Sequence, residues 1–148
     1  MKLSARQLTL DLYNCSAETF SDIDEIKDVL KSVVGSEPRL TAESMDENHF
    51  AIIGAFEGGH IALHGYSELR YVAVDIFTCA EDESEPEKLS KTLRQFFRPD
   101  KLKSTFLKRG DFGKGDIKPK IKTKVAPLRK VKNAGAKVVN KLVRGNDK

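Results

Sequence analysis

GGHIALHGYSELRYVAVDIFTC, residues 58–79, reads as two strands joined by a turn. Side chains alternate across a strand, so in HIALH the residues His60, Ala62 and His64 share one face and Ile61 and Leu63 the other. SEL makes the turn. In RYVAVDIFTC, Val72, Val74 and Ile76 form an apolar face, while Tyr71, Ala73, Asp75, Phe77 and Cys79 lie opposite. If the two strands pair, two histidines, an aspartate and a thiol face a common pocket. Satisfied polar residues on a half-buried sheet meet the same spacing. No metal site is expected: His60 and His64 are four residues apart on a strand, about 13 Å, too far for one ion. Cys79 ends a strand and has no helix N-terminus to lower its pKa, which speaks against a cysteine protease.

Working outward, QLTLDLY (7–13) alternates Leu8, Leu10 and Leu12 with polar residues and reads as a strand. Ile23, Ile26, Leu30 and Val33 recur at helical spacing. Ser21 stands in the N-cap place with Asp24 three positions on, and the spacing predicts a helix over 22–34. A polar stretch, SEPRLTAESMDEN, leads to the strand HFAIIGAF. After Cys79 an acidic loop, AEDESEPE, precedes a second helix, with Pro86 suited to its first turn and Leu89, Leu93 and Phe96 on its apolar face. KLKSTFLKRG closes the series as a strand. The order β-α-β-β-β-α-β predicts an α+β two-layer sandwich, its sheet mostly antiparallel and its helices on one face.

Charge divides the chain in two. Of its 148 residues, 1–113 carry 14 Lys and Arg against 20 Asp and Glu, a net charge of −6, while 114–148 carry 12 against 2, a net charge of +10. A domain over 1–113 with a basic tail over 114–148 is expected. The tail is disordered or, beyond Pro127, a basic amphipathic helix suited to anionic polymers or membrane surfaces. No run approaches the roughly 20 apolar residues of a membrane span, and the N-terminus has no long apolar run of a secretory signal. Two cysteines, Cys15 and Cys79, make no disulfide framework. A cytoplasmic protein is expected.

Residues 58–79 resemble the central segment of the prokaryotic, pyruvoyl-dependent S-adenosylmethionine decarboxylases, which typically read E-S-H-L-S-I-H-T-W-P-E-x-G-Y-A-A-V-D-V-F-T-C there. His60, His64, Glu68, Tyr71, Ala73, Val74, Asp75, Phe77, Thr78 and Cys79 match without a gap. QLTLDLYNC resembles the opening strand of that family, and the segment through FLKRG its closing helix and strand. Family members are made as proenzymes in which a serine rearranges, the chain breaks, and the new N-terminus becomes a pyruvoyl group. That group acts as an electron sink when carbon dioxide leaves. The resemblance implies that His64 matches the processing histidine and Cys79 the proton-returning thiol. Glu68, His60 and Asp75 are carried over as ligand-binding candidates.

The chain departs from the pattern where the serine belongs. Glu-Ser is replaced by Gly58-Gly59, a second serine eight positions upstream by Ala51, and Thr-Trp-Pro by Gly65-Tyr66-Ser67. Glycine has no hydroxyl, so an acyl shift cannot start at Gly59. The resulting expectations are no cofactor and vestigial roles for His64 and Cys79. The chain is then a ligand-binding or regulatory relative that takes S-adenosylmethionine, as a homodimer or a heteromer with an active homologue. The alternatives are an S-adenosylmethionine-directed enzyme using a non-pyruvoyl route, and a binding module acting through the tail.

Overall fold

The structure, a computed structural model, describes residues 4–34, 38–80, 86–110 and 121–127. Its centre is an antiparallel sheet of seven strands among the described residues: β1 (Ser4–Tyr13), β2 (Arg39–Ser44), β3 (His49–Phe56), β4 (Gly59–Tyr66), β5 (Tyr71–Ala80), β6 (Lys101–Arg109) and β7 (Ile121–Pro127). Across the sheet they run β2-β3-β4-β5-β1-β6-β7. Two helices, α1 (Ile23–Val34) and α2 (Pro86–Phe97), pack on each other and cover one face. This is the predicted α+β sandwich.

Alternation builds the covered face. Leu8, Leu10 and Leu12 of β1 pair with Ile76, Val74 and Val72 of β5, and Leu63 of β4 pairs with Val74 from the other side. These side chains are buried together with Ile26 and Leu30 of α1 and Leu89, Leu93 and Phe97 of α2. Each fully buried large side chain stabilises the fold by about 1.5–3 kcal/mol. The sequence places Phe96 on the inner face of α2; the structure buries its neighbour Phe97 completely and leaves Phe96 half-buried. At the start of α1 the cap is Asp22, one residue beyond the expected Ser21. Its Oδ1 accepts from the N–H groups of Asp24 and Glu25 at 3.0 and 3.1 Å.

Two strands go beyond the sequence reading. β2 lies inside the stretch read as a polar connection, where only Leu40 and Ala42 turn toward the core. β7 lies within the segment read as a tail and pairs with β6 from Ile121–Leu107 to Pro127–Lys101. The sheet therefore continues past residue 113. The expected helix beyond Pro127 and the acidic loop of 81–85 fall outside the described residues. No helix among the described residues is long and apolar enough to cross a membrane.

Candidate functional site

The face of the sheet turned away from the helices collects the polar and aromatic residues. β4 and β5 pair in the register that sets His60 opposite Phe77, Ala62 opposite Asp75 and His64 opposite Ala73. His60, His64, Asp75 and Cys79 therefore share one face, as alternation predicts, but they are spread along it and line no common pocket. His64 and Cys79 are separated by six residues' advance along β5, about 20 Å, and do not form one constellation. Glu68 is exposed in the β4–β5 turn, at the opposite end of the hairpin from Cys79. Among the described residues no three His, Cys, Asp or Glu side chains group to hold a metal ion.

At the Cys79 end, the Cys79 N–H donates to the Gly58 carbonyl at 2.6 Å and ties to β5 the tight β3–β4 turn in which Gly58 takes φ +83°. His60 stacks on Phe77 with centroids 5.3 Å apart, and the Arg109 guanidinium lies 5.2 Å from the same ring. Asp75 is exposed.

The concentrated chemistry lies at the other end, on residues that the sequence reading does not bring together and of which it names only Tyr66 and Tyr71. His49, Tyr66, Tyr71 and Tyr13 belong to four adjacent strands and stand in one row. His49 stacks on Tyr66 at 4.4 Å and 9°, Tyr66 on Tyr71 at 5.9 Å and 22°, and Tyr71 on Tyr13 at 5.3 Å and 29°. The Lys101 ammonium, on β6, sits 5.7 Å from the centre of the Tyr13 ring. The row exists because cross-strand register brings together residues far apart in sequence: His49 opposite Tyr66, and Tyr66 opposite Tyr71.

His64 stands one step along β4. Its Nδ1 is 3.0 Å from Nε2 of His49, a hydrogen bond between two half-buried imidazoles. Its cross-strand neighbours are Ala51 and Ala73, small residues that leave the ring accessible. Beyond Ala73 on β1 lies Asp11, which accepts a hydrogen bond from the Tyr71 hydroxyl. Burial, and then this hydrogen bond, raise the Tyr71 phenol above the usual tyrosine range, so the ring stays neutral at physiological pH. Lys103 stands opposite Asp11 on β6. A stacked aromatic floor thus has a carboxylate and two ammonium groups at one end and an imidazole pair at the other.

Cys15 takes no part. It is fully buried, its Sγ–H points at the Leu12 carbonyl, and burial pushes its thiol up to about 12. A depression of about 350 Å³ on the helix side is lined by Glu18, Thr19, Glu25, Gln95, Phe96 and Arg98. None of the open-face residues reaches it, and the Arg98–Glu18 ion pair uses up two of its charges.

An α+β sandwich with a histidine- and tyrosine-bearing open face is the class that these observations define. Residues 6–110 match the S-adenosylmethionine decarboxylase family, and the chain belongs to it. It is 29% identical over 115 residues to the S-adenosylmethionine decarboxylase proenzyme of Acidithiobacillus ferrooxidans, covering 74% of this chain and 85% of that one. It is 28% identical over 123 residues to the proenzyme of the same name from Methanococcus maripaludis, covering 80% and 99%. A third, from Thermoanaerobacter sp., is 27% identical over 118 residues, covering 77% and 94%. The family is one of polyamine biosynthesis.

Membership corrects one expectation. The glycine at position 59 leads to an expectation of no cofactor, but the family is pyruvoyl-dependent and its matched members are named proenzymes. A pyruvoyl group is therefore the cofactor that membership implies. One residue is too narrow a basis for excluding a cofactor from the whole chain. What the structure shows is local. Gly59 has no hydroxyl, and a Cβ added there would run into the carbonyl oxygen of Phe77. Position 59 thus does not fit a serine-derived group in this backbone conformation, and the chemistry that follows rests on the open-face side chains alone.

Proposed function

We propose that this chain binds S-adenosylmethionine on the open face of its sheet and serves polyamine biosynthesis as a ligand-binding, regulatory member of its family. The observation that carries the reading is the stacked row His49–Tyr66–Tyr71–Tyr13. S-adenosylmethionine presents an adenine, a sulfonium cation, an ammonium and a carboxylate. Aromatic faces suit the first two: adenine stacks on a ring, and a sulfonium is attracted to the ring quadrupole by about 0.5–2 kcal/mol. Asp11, held by Tyr71, offers an acceptor to the ammonium. Lys101 and Lys103 offer donors to the carboxylate, and the His49–His64 pair borders the floor.

The residues carried over from the family resemblance divide on this reading. His64 borders the ligand. Cys79 and His60 lie at the far end of the hairpin, and Glu68 and Asp75 face solvent.

Isothermal titration tests the ligand. S-adenosylmethionine is expected to bind, and S-adenosylhomocysteine, which lacks the sulfonium charge, to bind about tenfold more weakly, the size of a partly desolvated cation–π contact. No heat with millimolar S-adenosylmethionine overturns the reading. Equal affinities would remove the aromatic–sulfonium contact from it.

A further inference from the structure

The margin of the sheet formed by β6 and β7 has a composition unlike the rest of the fold. KLKSTFLKR and IKTKVAP carry six cations, Lys101, Lys103, Lys108, Arg109, Lys122 and Lys124, and no Asp or Glu. All six are exposed. Lysine on an edge strand is a common guard against edge-to-edge pairing. Here only two of the six, Lys122 and Lys124, are on the edge strand; the other four are on β6, in a stretch, residues 1–113, whose charges otherwise sum to an excess of acid.

Their placement is two-sided. Lys101, Lys103 and Arg109 pair with Tyr13, Asp11 and Ala5 of β1 and so project from the open face. Lys108 pairs with Arg6, and Lys122 and Lys124 pair with Phe106 and Ser104, so these three project from the opposite face. Three positive charges thus flank each side of a layer about 10 Å thick. A bilayer is a plane and meets one side of such a layer. A duplex groove has phosphates on both walls, and the major groove, about 12 Å wide, admits a two-stranded ribbon. Neither strand offers a tyrosine or tryptophan for base stacking, and the one ring, Phe106, belongs to the core, so the contact is to backbone and independent of base sequence.

We infer that the β6–β7 margin is a binding surface for the phosphate backbone of duplex nucleic acid, with Lys101 and Lys103 on one side and Lys122 and Lys124 on the other engaging opposite walls of a groove. Lys101 and Lys103 also border the aromatic row, so the duplex test is run without S-adenosylmethionine; Lys122 and Lys124 project from the other face and take no part in ligand binding there. The remaining basic residues of 114–148 add charge of the same sign.

The test uses the full chain and a mixed-sequence DNA duplex of about 20 base pairs, by fluorescence anisotropy between about 50 and 200 mM salt. Two double variants are compared with it, Lys101→Gln with Lys103→Gln and Lys122→Gln with Lys124→Gln, each checked for fold by circular dichroism. Binding is expected to weaken steeply with salt. Each pair of substitutions is expected to flatten the slope of log K against log salt by about 1.8, at roughly 0.9 per phosphate contact, and to weaken binding at least tenfold at low salt. No binding at about 50 mM salt overturns the inference. So does an unchanged slope in either double variant, which would leave a one-sided patch or the remaining chain as the binder. Phosphatidylserine vesicles bound as tightly as the duplex, with the same loss in the variants, would overturn it in favour of a membrane surface.

Discussion

The two faces of one sheet have opposite logics. On β1, Leu8, Leu10 and Leu12 go under the helices, while Thr9, Asp11 and Tyr13 face away and meet Asp75, Tyr71 and Lys101 from neighbouring strands. The covered face is held by area removed from water, which needs volume and fit but no directional partner. The open face is held by particular pairs: an imidazole on an imidazole, a phenol on a carboxylate, rings stacked in a row. Stability should therefore reside on one face and ligand recognition on the other, and substitutions can separate them.

The largest effect is expected under the helices. Phe97→Ala empties the centre of the α2 contact and should cost about 3–5 kcal/mol, read as a lower urea midpoint. A cost below about 1 kcal/mol would show that the covered face is not the stabilising one.

The next concerns pH. Cys15 has a folded pKa of about 12 against an ordinary 9.0, because its thiolate is excluded from the core. A group with a raised folded pKa contributes stability that is complete below the unfolded value and is lost as pH rises toward the folded one. Stability should therefore hold to about pH 9 and then fall by up to ~1.4 kcal/mol per pH unit, with Tyr71 adding to the loss at higher pH. Denaturation curves between about pH 8 and 11 check this, and Cys15→Ala should flatten the early part of the fall whatever its own cost in packing.

On the open face the expectation reverses. Tyr66→Ala should change unfolding free energy by less than about 1 kcal/mol yet weaken S-adenosylmethionine binding about tenfold or more, because it removes the middle of the stacked row. A fall in stability as large as that of Phe97→Ala would erase the distinction between the faces. The smallest effect is expected for His49→Gln, which keeps a hydrogen-bonding group beside His64 but loses the ring on Tyr66. It should weaken binding only a few-fold while His49→Ala does more. The nitrogen chemical shifts of His64 should report the altered partner.

The covered face was largely legible in sequence, because burial writes itself as period: two for Leu8, Leu10 and Leu12, near 3.6 for Ile23, Ile26 and Leu30. β2 and β7 were not. RLTAES turns only Leu40 and Ala42 inward, and IKTKVAP, bounded by Pro127, has no buried face and is a strand through its pairing with β6. The open face was half legible. Alternation assigned His60, His64, Asp75 and Cys79 to one side and strand rise separated His60 from His64, but only the register shows how far Cys79 stands from His64. The row of His49, Tyr66, Tyr71 and Tyr13 was hidden, because its members are joined across strands and only register brings them together. A signal did exist: Ala51, the small residue that register sets opposite His64, stands two residues after His49, so the two histidines lie on the same face of neighbouring strands.

Nuclear magnetic resonance of the isotopically labelled chain, titrated with S-adenosylmethionine, measures the division of labour between the faces most directly. Shift changes should centre on Tyr13, His49, His64, Tyr66 and Tyr71, with the helix-side residues Leu30, Leu93 and Phe97 unmoved. Changes confined to the helix side, or none at millimolar ligand, would contradict a recognition face opposite the helices.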